Sequence, residues 1–143
     1  MNRLKIVSLE VSGVCLGAMN FGTTTPEKDA FEILDAFVAA GGNFIDTSNN
    51  YAHWQGTGDE SETVLGRWLA SRGNRDKVVI ATKVGFDRHG SGQGLKRSQI
   101  EYWIDESLKK LQTDYVDLYY AHTDDPDTQL EETMSAFATL VKK

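Results

Sequence analysis

The stretch from residue 78 to residue 83, Val78-Val79-Ile80-Ala81-Thr82-Lys83, decides the fold because a short apolar run ends there in polar residues. Four consecutive apolar side chains, three of them β-branched, are typical of a strand that is buried on both faces. Strands of this kind belong to parallel sheets that are covered by helices. The stretch therefore predicts a central parallel strand with Lys83 at its carboxyl end.

Three similar runs predict three further strands, at 14–16, 43–45 and 115–121. Segments with apolar residues at helical spacing follow each of the four strands, and the strands start about 29 to 37 residues apart. This spacing accommodates one strand, one crossover helix and two loops. We expect a single domain over residues 1–143 with (βα)4 order. Both a doubly wound sheet and half of a TIM-type (β/α)8 barrel satisfy this pattern.

The ends of the predicted helices carry capping signals. The first helix is expected from about Pro26 to Ala40, with Thr25 as its N-cap. The other signals are Asp59 or Ser61 as the cap of the second helix, Gly73 at its end, Ser98 as the first residue or the cap of the third, and Thr128 with Glu131 as a capping box for the fourth. Ahead of the first strand, the alternating segments 4–7 and 9–11 predict a small hairpin.

Composition excludes several classes of protein. The 143 residues carry 15 Lys and Arg against 21 Asp and Glu, a net charge of −6, with no basic cluster that would bind a nucleic acid. No apolar run is long enough to cross a bilayer or to form a signal peptide, so we expect no membrane association and a cytoplasmic location. The only cysteine, Cys15, is expected to be buried. No cluster predicts a metal site.

Four reactive side chains follow the carboxyl ends of the predicted strands: Asp46 and Tyr51 after the second strand, Lys83 after the third and His122 after the fourth. Parallel strands end at one edge of a sheet, so these groups are expected to converge there. Lys83 would be largely desolvated and would need an anionic partner, for which Asp46 is placed. A cation beside Tyr51 would lower the pKa of the phenol, and His122 would orient a substrate oxygen.

These motifs resemble the N-terminal half of an aldo-keto reductase. The matching stretches occur in the family's order and spacing and cover nearly the whole chain; they are 16–22, 42–51, 58–62 with 65–66, 79–83 and 114–122. The family's Asp, Tyr, Lys and His tetrad falls on Asp46, Tyr51, Lys83 and His122. The resemblance implies an NADPH-dependent oxidoreductase that reduces an aldehyde or ketone to an alcohol, with Tyr51 as proton donor.

The resemblance also assigns binding residues around the tetrad. Met19, Asn20, Asp46 and Lys83 are expected to contact the cofactor. Phe21, Trp54, Phe86 and His122 are expected to contact a small-molecule carbonyl substrate.

The sequence departs from the family in length, because the family builds a full barrel of roughly 250 residues or more. The stretches matched here account only for strands one to four, so the NADPH site is expected to be incomplete. The glycine-rich segment 90–94 follows no strand and is interpreted as a flexible loop rather than a dinucleotide-binding turn. We expect a homo-oligomer or a complementing C-terminal half. The alternative is a non-catalytic half-barrel module that self-associates.

Overall fold

A computed structural model describes residues 1–86 and 94–142 of the chain. Its strands are β1 (Arg3–Ile6), β2 (Leu9–Ser12), β3 (Cys15–Gly17), β4 (Phe44–Asp46), β5 (Val79–Val84) and β6 (Leu118–Ala121). Its α-helices are α1 (Glu27–Ala39), α2 (Glu60–Arg72), α3 (Arg97–Leu111) and α4 (Leu130–Leu140). One helix follows each of the strands β3 to β6, which confirms the predicted (βα)4 order.

The four strands β3 to β6 form one parallel sheet in their chain order, β3-β4-β5-β6. A doubly wound sheet requires a point where the strand order reverses. The order here has no reversal, and right-handed crossovers then place all helices on the same face. The architecture is therefore that of half a (β/α)8 barrel. Within the described residues, β3 and β6 each have a strand partner on one side only.

The core lies between the sheet and its helices. Trp68 and Leu65 of α2, Leu34 of α1 and Ile45 of β4 are fully buried and belong to one apolar cluster. All six residues of β5 are buried, as expected for a central strand. Alternation along the strands sends Ile45 toward the helices and leaves Asp46 on the opposite face, which corresponds to the interior of the barrel.

The N-terminal hairpin is confirmed: β1 and β2 pair in antiparallel register, from Arg3 opposite Ser12 to Ile6 opposite Leu9. It is joined to the sheet through Asn43, whose side-chain oxygen accepts a 2.6 Å bond from the Ser12 amide. The Ser12 hydroxyl in turn accepts the Asn43 amide at 3.1 Å. The hairpin therefore closes the amino-terminal end of β4, opposite the edge that carries the reactive residues.

Several predicted helix caps are wrong, although the helices are placed as expected. α1 begins after Pro26 rather than after a Thr25 cap. Asp59 is the N-cap residue of α2, as predicted, although its side chain makes no cap hydrogen bond. The Thr128 hydroxyl donates to Asp125 instead of capping α4, because a turn precedes that helix. The predicted end of α2 is confirmed, since Gly73 adopts φ +56, the left-handed region that favours glycine.

Cys15, expected to be buried, is exposed because its side chain is on the open interior face of the sheet, the same face as Asp46. The glycine-rich loop expected at 90–94 lies almost entirely outside the described residues. None of the helices in the described part of the chain is long and apolar enough to span a membrane.

Candidate active site

The reactive side chains meet at the carboxyl edge of the parallel sheet. In the strand register, Asp46 of β4 is opposite Ala81 of β5, and Lys83 of β5 is opposite Tyr120 of β6. Period-2 alternation therefore brings Asp46, Lys83 and Tyr120 to the same face. Tyr51 follows β4 on a loop that turns sharply at Ala52, which is buried with φ +56. This left-handed residue redirects the chain immediately after Tyr51.

The carboxylate of Asp46 accepts hydrogen bonds from three side chains of the site. Its Oδ2 accepts hydrogen bonds from the Tyr51 hydroxyl and from Lys83 Nζ, each at 2.7 Å. Its Oδ1 accepts a 2.6 Å bond from the Tyr120 hydroxyl. Lys83 Nζ also donates to the Tyr51 hydroxyl and to the Thr47 carbonyl, the latter at 2.7 Å. The ammonium group therefore uses its three N–H donors, one for each of these three oxygen atoms.

Lys83 is only 6% exposed, so its charge depends on its partners. Burial lowers the pKa of Lys83, and the ion pair with Asp46 opposes this change without cancelling it. The ring of Tyr51 adds a cation-π contact, with Nζ 4.1 Å from the ring centroid. The desolvated lysine with an anionic partner that the sequence predicts is thus present.

The expected effect of Lys83 on Tyr51 is wrong for this structure. Burial and the hydrogen bond to Asp46 raise the pKa of Tyr51 above its ordinary value of 10.0. The nearby ammonium does not outweigh these two effects, because Asp46 neutralises it and also accepts the phenol proton. Tyr51 therefore keeps its proton at neutral pH, as a proton donor must.

His122 lies beside Tyr51, with the ring centroids 5.9 Å apart in an edge-to-face arrangement. Its Nδ1 is 3.3 Å from the hydroxyl of Ser48, which is fully buried and donates to Asn50 Oδ1 at 2.8 Å. Burial, and then the charge of Lys83, lower the pKa of His122. The imidazole is therefore neutral at neutral pH, and the contact of its Nδ1 with Ser48 fixes the orientation of the ring.

An aromatic row extends from His122 toward solvent. The Phe86 ring is 5.4 Å from the His122 ring, His53 is 5.8 Å from Phe86, and Trp54 is 5.2 Å from His53, measured between centroids. Trp54 is 60% exposed and Phe86 is 41% exposed. The row forms an apolar wall beside the reactive groups. His53 connects Phe86 with Trp54 in this wall.

The residues after β3 divide into two groups. Met19 and Asn20 are exposed on the loop at the same edge as Asp46 and Lys83. Phe21, expected to contact substrate, is instead 4% exposed and packs in the core with Trp68 and Leu65. The reason is the turn of the loop, in which the Phe21 amide bonds back to the Ala18 carbonyl. That expectation for Phe21 is therefore wrong in this structure.

Tyr120 is the residue that sequence reasoning missed. Its position within an apolar run gave it the appearance of a packing residue. The available signal was its position two residues before His122, because alternate residues of a strand share a face. Over residues 1–86 and 94–142, no group of three or more His, Cys, Asp and Glu side chains is arranged to hold a metal ion.

Comparison with known proteins agrees with this geometry. The model of the aldo/keto reductase family matches residues 13–143. The chain is 42% identical over 164 residues to aldo-keto reductase ausK of Emericella nidulans, covering 100% of this chain and 40% of that protein. It is 42% identical over 151 residues to norsolorinic acid reductase stcV of the same organism, covering 95% and 38%.

A solved structure of an aldo-keto reductase from Bacillus halodurans, in its holo form, superimposes with a TM-score of 0.84 at 32% sequence identity. The match covers 99% of this chain and 47% of that chain, as expected for half of a barrel. The chain thus spans less than half the length of these relatives. With a family model that matches nearly all of its residues, the chain belongs to the aldo/keto reductase family.

Proposed function

We propose that the chain carries the proton-donating half of an NADPH-dependent carbonyl reductase, with Asp46, Tyr51, Lys83 and His122 as its catalytic residues. One observation supports this more than any other. The Tyr51 hydroxyl contacts both the Asp46 carboxylate and the Lys83 ammonium at the carboxyl edge of the sheet. A phenol in that position has a transferable proton and a cation beside it to stabilise the anion that remains.

The proton moves from the Tyr51 hydroxyl to the carbonyl oxygen of the substrate, which becomes the hydroxyl of the alcohol. For this step, the phenol exchanges its hydrogen bond with Asp46 for one with the substrate oxygen. Lys83 Nζ then stabilises the phenolate, and Asp46 keeps Lys83 protonated in its buried position. When bound, the nicotinamide supplies the hydride that reduces the carbonyl carbon.

His122 and the aromatic wall position the substrate in this proposal. The His122 ring stands edge-to-face with Tyr51, next to the site where the carbonyl oxygen would receive its proton. Trp54 and Phe86 expose large apolar surfaces on the same side. The substrate class that fits is a small-molecule aldehyde or ketone whose apolar part packs on these rings.

The chemistry of the site fits the reacting end of a nicotinamide cofactor. It offers a neutral proton donor, a paired cation and an exposed loop at one edge of the sheet. We propose that the reacting end of the cofactor is held by Met19 and Asn20 on that loop, together with Asp46 and Lys83. Contacts to the adenosine phosphates are expected from the part of the relatives that this chain does not cover. We therefore expect residues 1–143 alone to turn over little substrate.

Assembly is part of the same proposal. In the part of the chain that the structure describes, β3 and β6 lack an outer strand partner, and the interior face at Cys15 is exposed. Unpaired edges and apolar surface favour association. We propose that residues 1–143 fold as one cytoplasmic domain that pairs with a complementing C-terminal half or with a second copy.

The test is Tyr51→Phe in a protein that joins this chain to a complementing C-terminal half. We expect turnover of an aldehyde to fall by about 10² to 10⁴-fold, while NADPH binding, followed by tryptophan fluorescence, is nearly unchanged. Tyr102→Phe is the control, because Tyr102 is 57% exposed on α3. Turnover of Tyr51→Phe within about tenfold of the parent would contradict the proposed role. Failure of the joined parent to bind NADPH would favour the non-catalytic alternative.

A further inference from the structure

We infer that Tyr120 is a positioning residue of this site: its phenol fixes the Asp46 carboxylate so that one oxygen serves both Lys83 and Tyr51. The inference rests on the proposed function, because it assigns Tyr120 a role in the proton transfer by Tyr51. It concerns a residue outside the four proposed catalytic groups.

The position of Tyr120 in the sheet makes this contact direct. Tyr120 is on β6 and Asp46 is on β4, with Lys83 of β5 between them. The Tyr120 side chain reaches across Lys83, whose Nζ is 5.4 Å from its ring centroid, and donates to Asp46 Oδ1 at 2.6 Å. It therefore ties the edge strand to the carboxylate two strands away.

The two carboxylate oxygens of Asp46 have different tasks. Oδ2 accepts from Tyr51 and Lys83, whereas Oδ1 accepts from Tyr120. Without Tyr120, the Asp46 side chain, which is 21% exposed, would keep its two bonds at Oδ2 and lose the bond that the structure gives to Oδ1. The Tyr120 bond therefore holds the second oxygen and fixes the orientation of the carboxylate toward Tyr51 and Lys83.

Tyr120 also changes how strongly Asp46 accepts its other hydrogen bonds. A carboxylate that already accepts one hydrogen bond accepts further ones less strongly. With Tyr120 in place, the bonds from Tyr51 and Lys83 to Oδ2 are therefore weaker. Removing the Tyr120 hydroxyl should raise the pKa of Lys83 and make the Tyr51 proton harder to transfer.

Other ionisable groups face Lys83 and must be kept constant in a test. They are Cys15 on β3, Asp46 and Tyr51 on β4 and its loop, Glu62 on α2, and His122 after β6. A phenol-to-phenyl change at Tyr120 alters none of them chemically. Tyr119 offers a matched control, because its hydroxyl points away from the site and donates to the Ile100 carbonyl at 3.3 Å.

The experiment compares Tyr120→Phe with Tyr119→Phe in protein labelled with ¹³C at the lysine ε-carbons, and Lys83→Met assigns the Lys83 signal. We expect Tyr120→Phe to raise the Lys83 titration midpoint by at least about 0.5 pH unit and Tyr119→Phe to leave it unchanged. In the joined enzyme, kcat of Tyr120→Phe should fall about tenfold with little change in KM. The alkaline limb of its pH-rate profile should move to higher pH.

An unchanged Lys83 midpoint in folded Tyr120→Phe overturns the inference, whatever happens to Tyr51→Phe. A raised midpoint together with full turnover by Tyr51→Phe supports the contact of Tyr120 and refutes the proposed function instead. If Tyr120→Phe does not fold, Asp46→Asn provides the second measurement. Adding Tyr120→Phe to Asp46→Asn, which keeps the ring near Lys83 Nζ, should then leave the Lys83 midpoint where Asp46→Asn puts it, and a further shift would contradict the inference.

Discussion

Gly66 of α2 packs directly against the backbone carbonyl of Lys110 in α3. A Cβ atom built on Gly66 would overlap that oxygen and would lie 2.9 Å from the Leu111 Cα. Neighbouring backbone atoms are rigid, so no side chain fits at this crossing. The close approach brings Lys110 to the buried Glu62, with Nζ 3.7 Å from Oε2, and Glu62 in turn accepts a 2.7 Å bond from Thr82 beside Lys83.

Gly66→Ala should therefore destabilise the chain. Forcing α2 and α3 apart costs about 1–3 kcal/mol or more, and it disturbs the helices that support β5. Urea unfolding followed by tryptophan fluorescence measures the change. Gly17→Ala is the control, because a Cβ at Gly17 would meet nothing within 4 Å. Equal unfolding free energies for the two variants would show that the crossing tolerates a methyl group.

Asp117→Ala should weaken the junction between β5 and β6. Asp117 Oδ2 accepts bonds from Arg75 at 2.7 Å and from the Ile80 amide at 2.8 Å. The Arg75 and Asp117 side chains are only 15% and 16% exposed, so removing the carboxylate leaves poorly solvated groups without a partner. We expect a loss of roughly 2–3 kcal/mol in the free energy of unfolding.

The control for Asp117 is a surface ion pair. Glu101 pairs with Arg97 at 3.2 Å on α3, and both side chains are more than a third exposed. Glu101→Ala should cost about 0–1 kcal/mol. If Glu101→Ala lowered the free energy of unfolding as much as Asp117→Ala, burial would not explain the contribution of the Arg75–Asp117 pair to stability.

The strands and the convergence of Asp46, Tyr51, Lys83 and His122 at one edge of the sheet could be predicted because both depend on local patterns. Apolar runs that end in polar residues mark buried parallel strands, and such strands deliver their ends to one edge. Lys83 could thus be placed next to Asp46 from spacing alone. The order of the strands was not predictable from the residues, because (βα)4 units fit both a barrel half and a doubly wound sheet.

The remaining features depend on contacts that spacing does not specify. Phe21 enters the core because its loop folds back on Ala18, and no pattern in the loop indicates this turn. The pKa of Tyr51 is raised because burial and Asp46 together outweigh Lys83. The role of Tyr120 depends on a contact across two strands, although alternation along β6 placed it on the correct face.

Cys15 should react slowly with thiol reagents despite its exposure. Loss of surrounding water, and then the Asp46 charge, raise the pKa of the thiol from 9.0 to about 11. At neutral pH the reactive thiolate should be about 100-fold scarcer than at a pKa of 9.0. The pH dependence of alkylation by iodoacetamide measures this value, because the chain has one cysteine.

The reference measurement is the pH dependence of Cys15 alkylation in the unfolded chain, in denaturant. Asp46→Asn should shift the alkylation midpoint downward, since it removes a negative charge that disfavours the thiolate. An alkylation midpoint near 9 in the folded parent would contradict the prediction.

The stability of the folded chain should fall as the pH rises above 10. Burial raises the pKa of Tyr119, and burial together with Asp46 raises the pKa values of Tyr51 and Tyr120. Above pH 10 the unfolded chain gives up these phenol protons while the folded chain retains them. The stability that is fully present below pH 10 is then lost at up to about 1.4 kcal/mol per pH unit for each phenol. Lys83, with its lowered pKa, acts in the opposite direction just below its ordinary value of 10.5.

Tyr119→Phe separates the contribution of one phenol from those of the site. Tyr119 packs against Phe137 of α4, with centroids 5.5 Å apart, and it touches none of the proposed catalytic side chains through its hydroxyl. Its replacement should reduce the stability lost between pH 10 and pH 11 by up to about 1.4 kcal/mol, measured by urea unfolding at each pH. Tyr102→Phe on the exposed face of α3 should leave the loss as it is in the parent. An identical loss in Tyr119→Phe and in the parent would mean that Tyr119 ionises equally easily in the folded and unfolded chains, and it would contradict the raised pKa of Tyr119.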